Sequence, residues 1–358
     1  MIAYVINPGS TSTKLALARI SPSPNPDLPG NIQVALERRE VFHPDLVGDL
    51  HEQFARIHAE LMQGLEGWPA PDAVAGRGGL IGPASAGTYV VTDELAQFAL
   101  ASPYGQHASN MGAALALEVA TRYGVPAFIV DPPTVDELLP EARVSGFPGI
   151  ERRSRFHALN TRAVGRRAAY EVGKRFSEAV VVVAHLGGGN SVTTFLNGRA
   201  VDTTGALLDE GPFSPQRAGT LPTSGLLDLA YRFPRPELER LLTQEGGFRG
   251  LLGTADLREL ERRERDEATV RAIVEAYIHQ VVKAVGAYSV VAGRPDAIAL
   301  TGGAARWPSL IDRIESRLAW IAPVVTYPGE LELEALAEGV GRVLLGHEQA
   351  RNWVRPGA

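Results

Sequence analysis

Short apolar runs, each closed by a cluster of small residues, set the pattern of this chain. Val180 to Ala184 is a continuous β-branched run that ends at His185, the mark of a strand buried on both faces. Gly187, Gly188 and Gly189 follow; Ser191 to Leu196 alternates as a second strand, and Asn197-Gly198 leads into a third from Arg199 to Thr203. Asn-Gly between two strands favours a type I′ hairpin turn. The same pattern occurs at the start of the chain, where Ala3 to Ile6 is apolar, Asn7-Pro8-Gly9-Ser10-Thr11-Ser12-Thr13-Lys14 is small and polar, and Leu15 to Arg19 is a strand again. Laying Tyr4 to Gly9 on Val182 to Gly187 keeps strand, polar residue and glycine in step and puts Ser12 on Asn190. The pattern therefore predicts two related hairpins, one in each half.

Other buried strands are predicted at Ala73 to Ala75, Ala127 to Val130, Asp296 to Leu300 and Val324 to Tyr327. Between them lie helical periodicities: Asp45 to Gly64 (Leu46, Leu50, Phe54, Ile57 and Leu61 on one face), Ser109 to Tyr123, a helix carrying Val164, Ala168, Val172 and Phe176, one opening at Thr254, and Asp266 to Val291, Trp307 to Ile321 and Leu331 to Gly346. Ser21 to Gly30 is Pro-rich and reads as a loop, as does Leu207 to Gly219, which carries Arg217. Strands alternating with helices make the fold class α/β.

Composition narrows the chemistry. A length of 358 residues suits two domains and a cleft. With 45% hydrophobic and 21% charged residues and no apolar run of bilayer length, the expectation is a soluble protein that binds no membrane. The first residues carry no export signal, so the cytoplasm is expected. The net charge of −6 argues against a general nucleic-acid surface. The chain has no cysteine, which removes disulfides, thiolate nucleophiles and Cys-ligated metals. Without HExxH either, a metal is left with oxygen ligands, which suits Mg²⁺.

The candidate residues sit where strands end. A turn of bare backbone can aim several N–H groups at one phosphate, so Gly187, Gly188 and Gly189 form either such a cradle or a plain β-turn. Lys14 is a point charge for phosphate or a solvated lysine at a strand start. Arg77 lies among Gly76, Gly78 and Gly79 and is either a binding arginine or a surface one. Asp131 follows a buried strand, where ligands gather in α/β sheets, or it caps the turn at Pro132-Pro133. Arg152, Arg153, Arg155 and His157 crowd one helix start, and Thr301-Gly302-Gly303-Ala304 makes a third glycine turn after a strand.

Together these motifs resemble the acetate and butyrate kinase family of the sugar kinase, Hsp70 and actin superfamily, nearly end to end. NPGSTSTK is similar to the first phosphate motif, AHLGGGNS to the second and LTGGAA to the adenosine motif. GRGGLIGP, DPPTVDELLPEARVSGFPGIERRSRFHALN, DTTGALLDEGPFSPQRAG and TYPGELELEALAEG are similar to the versions in butyrate kinases and branched-chain fatty-acid kinases. The resemblance implies an actin-like (ribonuclease H-like) ATPase fold with duplicated mixed sheets flanked by helices and a cleft between domains. It implies residues 1–150 plus 329–358 as the acyl-side domain and 151–328 as the nucleotide-side domain.

By the same resemblance the reaction is reversible transfer of the ATP γ-phosphoryl group to butyrate or another short or branched carboxylate, with ATP/ADP and Mg²⁺, in a homodimer or larger homo-oligomer. Asn7 and Glu330 are implied at the metal, with Glu332 and Glu334 open as its acid. Lys14, Ser12, His185, Gly187, Gly188, Gly189 and Asn190 are implied at the nucleotide phosphates; Gly302, Gly303 and Ala304, with Asp256, Leu257 and Arg258, at the nucleoside. Arg77, Asp131, His157 and Arg217 are implied as catalytic, with Arg77, Gly79, His107 and Phe156 lining the acyl substrate. Gly79 stands where acetate kinases place valine, which implies room for a longer tail. Thr161 replaces their second histidine, and Trp307 an asparagine by the adenine. A carboxylate is already a competent nucleophile at neutral pH, so alignment and charge neutralisation are needed rather than a base. The competing expectations are a sugar kinase, which needs an aspartate base near its acceptor hydroxyl, and an actin- or Hsp70-like nucleotide switch, which needs no acceptor arginines.

Overall fold

The computed structural model describes residues 1–9, 11–23, 32–43 and 50–357. Two compact units divide the chain, Met1–Asp136 with Leu331–Ala358, and Glu137–Glu330. The first crossing thus comes at Glu137 rather than at 150, because the Glu137 carboxylate is tied to Arg162 at 3.4 Å and to the Ala200 N–H at 3.0 Å, both in the second unit.

The first unit contains β1 (Ile2–Pro8), β2 (Ser12–Pro22), β3 (Ile32–Phe42), β4 (Ala73–Arg77), β5 (Thr88–Val90) and β6 (Ala127–Val130) in the order β3-β2-β1-β4-β6-β5. The second contains β7 (Val180–Leu186), β8 (Asn190–Leu196), β9 (Arg199–Thr203), β10 (Ala297–Gly302) and β11 (Val324–Pro328) in the order β11-β10-β7-β8-β9. In both sheets the central strand pairs antiparallel with the next strand in sequence, which pairs antiparallel with the third, and on its other side two parallel strands follow. The sheets are copies of one plan, and β5 adds an antiparallel edge to the first.

The overlay of the two hairpins holds at the strand starts, with β1 and β7 beginning at Ile2 and Val180 and β2 and β8 at Ser12 and Asn190. Pairing departs by one residue. Pro8 faces Thr13 across four residues, whereas Leu186 faces Asn190 across three, so the first turn is the longer. Asn197 and Gly198 have φ of 50° and 78°, both positive as a type I′ turn requires.

Each sheet buries an apolar face under helices. Leu50, Ile57 and Leu61 of helix Leu50–Gly64 are buried, as is nearly all the first two turns of helix Met111–Tyr123. In the second unit, Val270, Val274, Tyr277, Ile278, Val281 and Val285 of helix Ala268–Ser289 fill the core with Trp307, Leu310 and Ile314. The expected start of the first helix, including Leu46, and residues 24–30 of the Pro-rich loop lie outside the described residues; Ser21 and Pro22 belong to β2. The helix expected at Thr254 is Leu257–Arg263, capped by Asp256. Helices Thr223–Arg232, Arg235–Gln244 and Gly247–Leu252 were not predicted; the first buries no residue, so it has no core-facing stripe to read. Among the described residues no helix is long and apolar enough to cross a membrane.

Candidate functional site

In the first unit, the end of β1 and the start of the last helix meet. Glu332 opens helix Glu332–Leu344, whose Ala335, Leu336, Gly339 and Val340 are buried. Helical spacing puts Glu332 on that inward face. There its Oε2 accepts from Asn7 Nδ2 at 2.8 Å, and its Oε1 lies 2.8 Å from Arg77 Nη2. Arg77 Nη1 also reaches Asn7 Oδ1 at 3.4 Å. Asn7, Glu332 and Arg77 therefore form one cluster, with Asn7 5% and Glu332 6% exposed. Glu332 is the acid against Asn7. Glu330, expected there, lies in the second unit with a 39% exposed side chain, 3.7 Å from His185 Nε2, and Glu334 pairs with Arg38 at the surface. Lys14 stands opposite Asn7 across the hairpin and is exposed; Ser12 donates its hydroxyl to Glu40 at 2.6 Å.

Arg77 is the last residue of β4 rather than part of a loop. The glycines around it serve packing. A Cβ on Gly76 would run into the Gly112 carbonyl, and one on Gly79 into Asn110 Cα, Oδ1 and N. These contacts let the turn Ala108–Asn110 and the following helix press onto the strand end, where Asn110 Oδ1 also accepts from Leu80 N at 2.8 Å. Gly79 thus leaves no room for an acyl tail, which corrects the expectation drawn from it. Its φ is not positive, so close approach alone demands glycine. Gly79→Val is expected to cost about 1–3 kcal/mol by overpacking and to lower activity with every acid alike; urea unfolding with kcat/KM for four acids checks this, and a loss confined to longer acids would contradict it.

His107 is exposed and caps the turn, its Nδ1 accepting from Ser109 N at 3.2 Å. Asp131 is 4% exposed with φ of 40°, a left-handed backbone that aspartate tolerates better than most residues. Its Oδ1 accepts from Gly87 N at 2.8 Å, while the Gly87 carbonyl accepts from Asp131 N at 3.0 Å. The Pro132 turn is closed by the main chain, Val135 N to Pro132 O at 2.9 Å.

In the second unit the loop that carries Arg217 wraps the glycine turn. Ser214 Oγ donates to Gly188 O at 2.7 Å, and Asn190 Nδ2 donates to Phe213 O at 2.7 Å. Asn190 is buried, and through Nδ2 it ties the loop down. Arg217 donates to Ala206 O, and its guanidinium fills the space a Cβ on Gly189 would need. Among the described residues it has no carboxylate partner, and burial pulls its pKa down. Gly188 faces open space; none of the three glycines has positive φ. In the same loop, burial pushes the Asp209 carboxyl up, against the opposing pull of Arg155.

The histidines lie beside this turn. His157 directly precedes helix Ala158–Glu171, and His185 lies within β7, which runs on to Leu186 rather than stopping at Ala184. Their rings stack at 3.8 Å and 11°. His157 Nδ1 is 2.9 Å from Ser191 Oγ. Asn160 Nδ2 lies 2.9 Å from His185 Nδ1. Thr161 Oγ1 donates to the His157 carbonyl at 2.9 Å. Phe156 is 2% exposed and packs on Phe195; it is core, not a substrate contact.

Asn160 also reaches Thr301 Oγ1 at 3.3 Å, which links the histidines to the third glycine turn. Gly302 has φ of 98° and lies against the Leu186 backbone, and it exchanges N–H···O bonds with Gly329 at 2.8 and 2.9 Å. Gly303 faces open space, whereas Ala304 is fully buried and its carbonyl accepts from Trp307 N at 3.0 Å. Asp256 Oδ1 accepts from Arg258 N at 2.9 Å; Asp256 and Arg258 are exposed and Leu257 half-buried. Trp307 is core, its indole N–H on Ser309 Oγ at 3.0 Å.

The acetokinase family pattern matches residues 145–314. A relative from Deinococcus radiodurans, "Probable butyrate kinase", is 53% identical over 368 residues, covering 100% of this chain and 95% of the relative. One of the same description from Enterococcus faecalis is 40% identical over 358 residues, covering 98% of this chain and 96% of its own length. The chain belongs to the acetokinase family. Its fold is shared with the crystal structure of Porphyromonas gingivalis acetate kinase, at a TM-score of 0.73 and 18% identity over 96% of this chain and 99% of that one.

In this acetokinase, Ser191, Asn160 and Ser214 are site neighbours that the sequence analysis did not assign, and Glu332, left open there beside Glu330 and Glu334, is the acid against Asn7. Glu332 had a readable signal, an acid in register with Ala335, Leu336, Gly339 and Val340. The other three work through contacts across the sheet or from a loop, which no local pattern reports.

Proposed function

We propose that this acetokinase transfers the γ-phosphoryl group of ATP to butyrate, reversibly, giving butyryl phosphate and ADP. The observation that carries the proposal is the 53% identity, end to end, to a protein described as a probable butyrate kinase. The geometry supports it through Arg217, a half-buried cation with no carboxylate partner among the described residues, held over a glycine turn. A partly desolvated cation without a counter-charge is costly to keep, and a phosphoryl group is the anion that the turn can admit.

The butyrate carboxylate attacks phosphorus directly, so no residue has to remove a proton. Arg77 binds the carboxylate, and Glu332 and Asn7 hold Arg77 in place. His157, oriented by Ser191 and the His185 ring, donates to an oxygen of the moving group. Arg217 neutralises the charge that builds on the equatorial oxygens. Gly188 and Gly303 offer exposed backbone to the nucleotide. Asn7 Oδ1 and the Glu332 carboxylate are adjacent oxygen donors of the kind Mg²⁺ takes, with Asp131 to order its waters. Mg²⁺ usually takes one or two carboxylates and completes its shell from phosphates and water; here it supplies charge neutralisation on the nucleotide. The same reading makes the protein a cytoplasmic homodimer or larger homo-oligomer.

Incubation with ATP, Mg²⁺, hydroxylamine and acetate, propionate, butyrate or isobutyrate tests the proposal, because an acyl phosphate is trapped as a hydroxamate. Two more buried methylenes at about 0.8 kcal/mol each favour butyrate over acetate roughly fifteenfold in kcat/KM. A preference for acetate would sink the butyrate assignment; no hydroxamate with any acid would sink the carboxylate.

A further inference from the structure

Arg152 belongs to the arginine cluster ahead of His157, yet it is not available to a substrate. Nε donates to Glu210 Oε1 at 2.6 Å, Nη1 to Ala142 O at 2.6 Å and Asp202 Oδ1 at 2.8 Å, and Nη2 to Thr203 O at 2.9 Å and Tyr288 Oη at 2.8 Å. A guanidinium has five N–H donors in a rigid fork, and all five are engaged. No phosphate could bind there without displacing a partner.

The partners lie on separate pieces of the second unit. Asp202 and Thr203 end β9, Tyr288 closes helix Ala268–Ser289, and Glu210 lies in the loop that carries Arg217. Further bonds run alongside. Ala206 N donates to Arg155 O at 2.8 Å, Gly205 N donates to Glu210 O at 3.1 Å, and Arg217 donates to Ala206 O. The segment leading to His157 and the loop leading to Arg217 are therefore joined twice, through Arg152 with Glu210 and through Arg155 with Ala206.

We propose that Arg152 and Glu210 are a positioning pair, which holds the His157 segment and the Arg217 loop in one register so that both side chains meet the same phosphoryl group. The proposal rests on the assignment of His157 and Arg217 above. Neither Arg152 nor Glu210 touches substrate; they act through Arg217. A small misplacement of a charge-stabilising group costs rate rather than substrate affinity.

The test is a double-mutant cycle on the full chain, read by hydroxamate formation from butyrate, with thermal unfolding recorded for each variant. Glu210→Gln keeps a similar shape on a side chain that is 42% exposed, and Arg152→Lys keeps the charge but loses the fork. Each is expected to lower kcat about tenfold with KM for ATP and butyrate within about twofold, and to have little further effect in an Arg217→Ala background. The non-additivity is the readout that a purely structural role would not give. Wild-type kcat in Glu210→Gln would overturn the proposal, as would the same fold loss in both backgrounds together with a falling Tm. An inactive wild type would instead overturn the functional assignment, and the proposal with it; full activity in Arg217→Ala would do the same for Arg217.

Discussion

Arg217→Ala is expected to fold like the parent and to lose about a hundredfold or more in kcat, with KM for butyrate little changed. The two halves of this expectation have one cause. Arg217 is a half-buried cation with no carboxylate partner among the described residues, and of these its side chain bonds only the Ala206 carbonyl. Removing it relieves a desolvation cost, so Tm should hold or rise. It also removes the cation placed where negative charge spreads during transfer. Arg217→Lys should recover part of the loss, since the charge returns without the fork. Steady-state kinetics with a thermal melt checks both halves; near wild-type kcat in Arg217→Ala would show that the phosphoryl clamp is elsewhere.

Glu332→Ala should be the most destabilising single change at the site. It strips Arg77 and Asn7 of their shared partner, and truncating one member of a buried ion pair costs roughly 3 kcal/mol; Glu332 and Arg77 side chains are 8% and 21% exposed. The double variant Arg77→Ala/Glu332→Ala should be little worse than either alone, because the second change removes the charge that the first left uncompensated. The milder Glu332→Gln should raise the Mg²⁺ concentration for half-maximal rate at least about tenfold, and Glu330→Gln should leave it unchanged. If Glu330→Gln were the variant that lost Mg²⁺, the cluster on Asn7 would be structural and the metal acid two residues earlier, ahead of the helix.

The duplicated hairpins were legible because backbone signals are local. An apolar run, a small-residue turn and Asn197-Gly198 each specify their own conformation, and the overlay of the two halves matched the starts of β1 with β7 and β2 with β8. The one-residue difference in pairing was not legible, since it depends on how the turn closes. Glycines misled in a specific way. Gly79 looked like space beside a binding arginine, but the missing Cβ is filled by Asn110. Phe156, next to a candidate histidine in sequence, points into the core against Phe195, so adjacency in sequence did not put the two side chains in one site. Three glutamates spaced by two residues were left unranked as metal acids, although Glu332 falls in register with the buried face of the last helix, which turns it inward.

The central claim is that a carboxylate oxygen attacks the γ-phosphorus of ATP. Butyrate labelled with ¹⁸O in both carboxyl oxygens, incubated with ATP, Mg²⁺ and hydroxylamine, tests it most directly. Hydroxylamine attacks the carbonyl carbon of butyryl phosphate and expels phosphate with the bridging oxygen. The account predicts that each phosphate released by the trap carries one ¹⁸O from butyrate. Phosphate without label, its new oxygen drawn from water, would mean that the protein hydrolyses ATP and that the carboxylate is not its acceptor.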